Sequence, residues 1–331
     1  MRVLRIAAAL VALAGLLALV GCGDPAFTSG KVYIGQGNYE MAIQELTMAV
    51  ENSPGAWEPR MWLGRAYAES EALEEAHDAF FEALELAPDQ KAADEVEDVI
   101  TYYWLIYDRQ GEQYIEGAKF EDARVEFEKA IVIDPRKVDA YINLGYAYHM
   151  SMDYDKAIEV FEQAREYEPE NEVLNENLLS VYETKGGSMA SISDYAGAVR
   201  YFEKIRSIDP EYPDIVYNIG LMYYQMKDYR EALSYFRQHL DADPEDEEVL
   251  YRVFLAYWAL GQDLAKEGQE EMAAEEYAAS LPYLQRLIDL NDQEITYHRA
   301  LARIYNKLGR NEEALHELSI IEQLMGGEST E

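Results

Sequence analysis

The chain has 331 residues, with 28 Lys and Arg against 64 Asp and Glu, a formal net charge of −36, and a single cysteine. A surface this acidic repels nucleic-acid phosphates and anionic headgroups. One cysteine excludes an internal disulfide, and the length alone would suit two ordinary domains.

In chain order, Arg2 and Arg5 precede an apolar run from Ile6 to Val20 that closes on Leu19-Val20-Gly21-Cys22. The run is shorter than the roughly 20 residues a spanning helix needs. Its charge and length are those of a secretory signal. Beyond it a fixed period takes over. A small residue is followed by alanine twelve positions on, an aromatic or leucine sixteen on, and proline twenty-four on: Gly64, Ala76, Phe80, Pro88; Gly111, Ala123, Phe127, Pro135; Gly145, Ala157, Phe161, Pro169; Gly186, Ala198, Phe202, Pro210; Gly220, Ala232, Phe236, Pro244. A constant phase of this kind marks a repeat architecture. It places repeats at 23–56, 57–90, 104–137, 138–171, 179–212, 213–246, 261–294 and 295–328, with a frayed tail at 329–331.

Inside each repeat apolar residues recur at three- and four-residue steps, which predicts helices. In the fourth repeat Tyr141, Leu144, Gly145 and Tyr148 make one face, and Ala157, Phe161 and Ala164 make a second. Ser151-Met152-Asp153 is the turn between them, and Pro169 closes the second helix. Gly145 and Ala157 are expected where the helices cross, with Phe161 filling the wedge to the next hairpin. In the seventh repeat Gly268 and Ser280 take the two small-residue positions. The insertions 91–103, 172–178 and 247–260 each precede an odd-numbered repeat and read as extensions of its first helix; separate short helices are the competing reading.

This pattern resembles the tetratricopeptide repeat family, on the glycines, alanines and prolines named above together with Gly30, Ala42, Pro54, Ala302 and Ala314. The resemblance implies an all-α fold: an α-solenoid, a right-handed superhelix of about eight hairpins, with elongated first helices in repeats 3, 5 and 7. It also implies that first helices line a concave face. The matching positions are Ile142, Tyr146, His149 and Met150 in the fourth repeat and Tyr217, Leu221, Tyr224 and Gln225 in the sixth. The second repeat supplies Met61, Arg65 and Glu69, and the eighth Thr296, Arg299, Arg303, Asn306 and Lys307. The expected groove is aromatic in the middle and basic at its C-terminal end (Arg299, Arg303, Lys307, with Arg310 nearby). It suits a peptide or helix with apolar anchors and an acidic terminus. The lysine-based carboxylate clamp of chaperone-binding members is missing, since Met61, Ile142 and Tyr217 stand where it needs lysine.

The segment ending in Cys22 resembles the bacterial lipobox. That resemblance implies a signal peptide at 1–21, acylation of Cys22, and a membrane contact made through acyl chains, of which more than one is needed for stable anchoring. Gly23, not aspartate, follows Cys22, and by the family's sorting rule this implies the outer membrane, facing the periplasm of a bacterial cell envelope. No catalytic, metal or cofactor site is expected: His77, His149, His239, His298 and His316 form no HExxH pair, and no glycine-rich phosphate loop follows a strand. The expected function is a lipid-anchored scaffold that binds protein or peptide partners and supports assembly of an envelope complex, without nucleic acid. The alternative is glycan binding or the docking of envelope hydrolases.

Overall fold

The structure is a computed structural model that describes residues 24–327; Cys22, the signal segment and the 329–331 tail lie outside the described residues. Sixteen helices and no strand are found among the described residues. They are α1 (Pro25–Gly35), α2 (Tyr39–Asn52), α3 (Trp57–Glu69), α4 (Leu73–Leu86), α5 (Gln90–Glu116), α6 (Phe120–Ile133), α7 (Val138–Met150) and α8 (Tyr154–Tyr167). The rest are α9 (Glu172–Ser191), α10 (Tyr195–Ile208), α11 (Ile215–Gln225), α12 (Tyr229–Ala242), α13 (Glu247–Lys266), α14 (Glu270–Leu290), α15 (Ile295–Lys307) and α16 (Asn311–Gly327). Consecutive helices pair as eight hairpins. The chain divides into two compact bodies, Met1–Asn177 and Leu178–Glu331, and the division falls inside α9.

Local chemistry sets the helix limits. Asp24 caps α1 by accepting from the Ala26 backbone N–H at 2.8 Å, with Pro25 at the first helical position. Asn38, Asp153, Asp194 and Asp228 cap second helices in the same way. The second helices of the first six hairpins each end two residues before a proline: Pro54, Pro88, Pro135, Pro169, Pro210 and Pro244. Every hairpin turn contains one residue with positive φ, seven positions after the small residue. These are Gly37, Glu71, Ala118, Met152, Ser193, Lys227, Gly268 and Gly309.

The glycines make room for a side chain sixteen residues later. A Cβ on Gly64, Gly111 or Gly145 would stand 2.5 Å from the ring of Phe80, Phe127 or Phe161 respectively, and one on Gly30 the same distance from Leu46. The expected wedge therefore has a second contact inside its own hairpin: the aromatic lies across its own glycine. Phe80 also stacks on Tyr103 of the following hairpin, with centroids 5.9 Å apart. Burial of such a ring stabilises by about 1.5–3 kcal/mol, and Phe80, Phe127, Phe161 and Phe236 are fully buried.

The insertions before repeats 3 and 5 extend the first helices, as α5 and α9 show. The seventh repeat corrects the expected register. Gly261, not Gly268, is the crossing glycine: a Cβ there would lie 2.5 Å from Tyr277, whereas Gly268 has open space around it and φ +79. Gly268 is the turn residue, in phase with Gly37 and Gly309, and Ala273 takes the alanine position expected at Ser280. The fourteen extra residues are thus shared. Seven lengthen the start of α13 and seven lengthen the end of α14, which runs through Pro282 to Leu290.

Candidate functional site

In the N-terminal body a cavity of about 370 Å³ opens between α5, α7 and the start of α9. Trp104, Asp108 and Glu112, spaced four apart on α5, share one face of that helix. Asp139, Ile142 and Asn143 come from α7, and Asn171 and Val173 complete the lining. Asp108 is 6% exposed. Asn143 Nδ2 donates to its Oδ1 at 3.1 Å. Burial pushes the Asp108 carboxyl above the usual carboxylate range; the Asn143 bond and the Arg109 charge oppose this, while Glu112 and Asp139 add to it. Lys137 Nζ stands over the Trp104 ring, 5.6 Å from its centroid.

Of the expected groove residues in this body, Ile142 lines the cavity, Tyr146 and Met150 are exposed, and His149 is half-buried with its ring 5.7 Å from Tyr154. Burial lowers the His149 pKa, which keeps the ring neutral at neutral pH. Met61 is corrected: it is buried in the core with Phe80 and Tyr103, because α3 turns that position toward the neighbouring hairpin.

The C-terminal body has two cavities along the starts of α11, α13 and α15. One, of about 200 Å³, is lined by Asp214, Tyr217, Asn218, His239, Asp246, Glu248 and Val249. The other, of about 500 Å³, is lined by Glu247, Glu248, Tyr251, Glu294, Thr296 and Tyr297. Glu248 borders both. The Tyr217 hydroxyl donates to its Oε1 at 2.6 Å, and Arg252 Nη2 approaches the same oxygen at 3.1 Å. These two bonds hold the Glu248 carboxyl below its ordinary pKa. Tyr297 donates to Glu247, and His239 Nε2 meets Asp246 Oδ2 at 2.9 Å. Among the described residues no group of His, Cys, Asp or Glu is arranged to hold a metal ion.

Tyr217, Tyr224, Tyr251, Leu255 and Trp258 are partly buried on the C-terminal core, with Leu221 half-buried beside them on α11. Leu255, Trp258 and Gln262 were missed in the sequence because of the seventh-repeat register, and Tyr251 because it lies in the segment that lengthens the start of α13. The signal was present: Gly261 and Tyr277 keep the glycine-to-aromatic spacing of sixteen. Arg299, Arg303 and Lys307 are exposed on α15 and form no ion pair among the described residues. Arg310 does not join them as a free charge, because its guanidinium donates to Glu313.

Paired helices repeated in one phase, with polar and aromatic side chains on their first helices, define a helical-repeat scaffold. Profiles of the tetratricopeptide repeat match residues 27–91, 111–151, 138–171, 193–253 and 265–319, and the chain belongs to that family. The chain is similar to the DnaJ homolog subfamily C member 7 homolog of Dictyostelium discoideum, 24% identical over 155 residues, covering 43% of this chain and 27% of that protein. It is also similar to the TPR repeat-containing protein YpiA of Bacillus subtilis, 26% identical over 156 residues, covering 47% and 34%. The match thus spans about a third of these relatives' length. Among solved structures, Pseudomonas aeruginosa PilF aligns at 21% identity over 69% of this chain and 94% of its own, with a TM-score of 0.32.

Proposed function

We propose that the chain is a lipid-anchored scaffold of a bacterial cell envelope. In this reading it is cleaved before Cys22, acylated there, seated at the outer membrane facing the periplasm, and holds a polypeptide partner that is part of an envelope assembly. The observation that carries the binding role is the first-helix face of the C-terminal body. Tyr217, Leu221 and Tyr224 on α11 and Tyr251, Leu255 and Trp258 on α13 combine half-buried apolar area with cavities at the helix starts. Such surfaces supply rigid anchors at small entropic cost. Arg299, Arg303 and Lys307 lie on the next first helix and suit an acidic group of the partner.

The anchor reading rests on the signal-like segment and the place of Cys22. Only Gly23 separates that cysteine from the Asp24 cap of α1, so the first hairpin would ride close to the headgroups. No helix among the described residues is long and apolar enough to cross a membrane. Crosslinking in intact cells followed by affinity recovery tests the scaffold. A specific protein should be recovered with the natural chain and lost when Tyr217, Tyr224 and Trp258 are replaced by alanine. Recovery of the same proteins by both chains would refute the assignment of the face. For the anchor, Cys22→Ser should leave an unprocessed precursor and remove acyl labelling; normal processing of that variant would refute it.

A further inference from the structure

Four places after its alanine, each second helix carries a large apolar residue. From Leu46 in the first hairpin to Tyr277 in the seventh, that residue is buried every time. The next first helix helps to cover it: Leu46 clusters with Leu63 and Ala66 of α3, Phe80 with Tyr103 of α5, and Phe236 with Val253 and Tyr257 of α13. In the eighth hairpin the same place holds Leu318, which is 42% exposed. Leu315, one place after Ala314, is 66% exposed, although its counterparts Ile158 and Leu233 are buried. Terminal repeats ordinarily turn a polar face outward. The last described helix, α16, instead presents the apolar residues of an interior hairpin, three apart on one face.

The same hairpin separates its charges. Helix α15 carries Arg299, Arg303 and Lys307 and no carboxylate, whereas α16 carries four glutamates and no lysine or arginine. Two of those glutamates are engaged, Glu317 with His298 and Glu313 with Arg310. Glu312 and Glu322 are exposed and, like the three cations of α15, form no ion pair among the described residues. They lie one turn before Leu315 and one turn after Leu318, on the face that the leucines occupy. A covering surface of one sign would answer only one of the two helices. A second copy answers both. A two-fold contact must complement itself, and α15 of one copy crossing α16 of the other sets cations against carboxylates twice.

We propose that the α15–α16 hairpin is the interface of a two-fold dimer. In it Leu315 and Leu318 of each copy leave water, and Arg299, Arg303 and Lys307 meet the Glu312 and Glu322 carboxylates of the other copy. The inference goes beyond the scaffold reading and uses none of the aromatic residues of α11 and α13. The acidic group that meets the α15 cations is here supplied by the chain itself.

The test is the mass of the soluble chain, residues 24–331, by sedimentation equilibrium. The natural chain should dimerise with a Kd on the order of 10 µM, as suits a contact with few anchors, and should dissociate as salt is raised. Replacing both Leu315 and Leu318 with serine should weaken pairing by about tenfold or more, since each substitution acts twice in a two-fold contact. Both leucines are exposed in the single chain, and circular dichroism verifies the fold of the variant. The pair Arg299→Glu and Arg303→Glu in one chain, and Glu312→Lys and Glu322→Lys in another, should each give monomers alone and a one-to-one dimer when mixed. A natural chain that stays monomeric up to about 200 µM, well above that Kd, would overturn the proposal. So would a dimer that ignores the leucine replacement, or charge variants that pair as well alone as mixed. The first of these readings uses no variant. Crosslinking through the α11 and α13 aromatics bears on the scaffold alone, so the two proposals fail separately.

Discussion

Gly186 and Gly187 are neighbours in one helix, yet alanine should stabilise the fold at Gly187 and fail to do so at Gly186. Both substitutions gain the same helix propensity, about 0.8–1 kcal/mol. The surroundings differ. A Cβ on Gly187 meets nothing within 4 Å, while one on Gly186 would stand 2.6 Å from Phe202 Cε1, 2.9 Å from Cδ1 and 3.3 Å from Cζ. Carbon atoms prefer roughly 3.5–4 Å, so the ring would have to retreat by about 1 Å. Phe202 is buried, and forcing extra volume into a packed site costs about 1–3 kcal/mol. Gly187→Ala should therefore stabilise by about 1 kcal/mol, and Gly186→Ala should be neutral or destabilise by up to about 2 kcal/mol. The propensity term cancels between them, so their difference, about 1–3 kcal/mol, measures the steric term alone. Urea unfolding followed by circular dichroism gives the midpoints. Hydrogen exchange across α9 and α10 locates the change, since repeat arrays can open locally. In a Phe202→Ala background Gly186→Ala should become stabilising. Equal shifts of the same sign for both single variants would refute the close-packing account.

Four further outcomes are expected. Gly268→Ala should destabilise by about 1 kcal/mol through its left-handed backbone, and Met152→Gly, at an exposed position with φ 64, should stabilise by up to about 1 kcal/mol; urea midpoints check both. Arg136→Lys should destabilise by about 2 kcal/mol in the same assay, because the guanidinium donates to both oxygens of fully buried Asp134 and also to Glu97 at 2.9 and 2.8 Å, a fork that lysine lacks. Burial pushes the Tyr141 and Tyr235 hydroxyls up to about 12, with Tyr167 adding to the first and the Glu203 bond to the second. A phenol that keeps its proton in the fold while the unfolded chain loses it near pH 10 stabilises the fold fully below that pH. That contribution is lost as pH rises toward 12, so the urea midpoint should fall over this window, with late tyrosine ionisation seen in ultraviolet absorbance.

The repeat phase was legible because the glycine, alanine, aromatic and proline of one hairpin must meet at fixed places, and their spacing survives in the chain as a period. Capping aspartates and terminating prolines are local devices, so helix limits could be expected from neighbouring residues. The seventh hairpin shows where that reading ran out. Two glycines seven residues apart, Gly261 and Gly268, lie two helical turns from each other and satisfy the same apolar pattern. Only the position of Tyr277 across the hairpin separates the crossing glycine from the turn glycine.

The same division holds for the candidate sites. Sequence alone determined that first helices recur and which of their positions share a face, and so it offered Ile142, Tyr217, Leu221, Tyr224 and the α15 cations as candidates. It could not show that Arg310 is neutralised by Glu313, that Met61 turns inward, or that Trp104 and Asp108 border a cavity with Asn143 thirty-five residues beyond Asp108. A period is a property of one chain read along its length. Pairing, burial and unanswered hydrogen bonds depend on which side chains arrive from neighbouring helices, and only the packed structure brings those together.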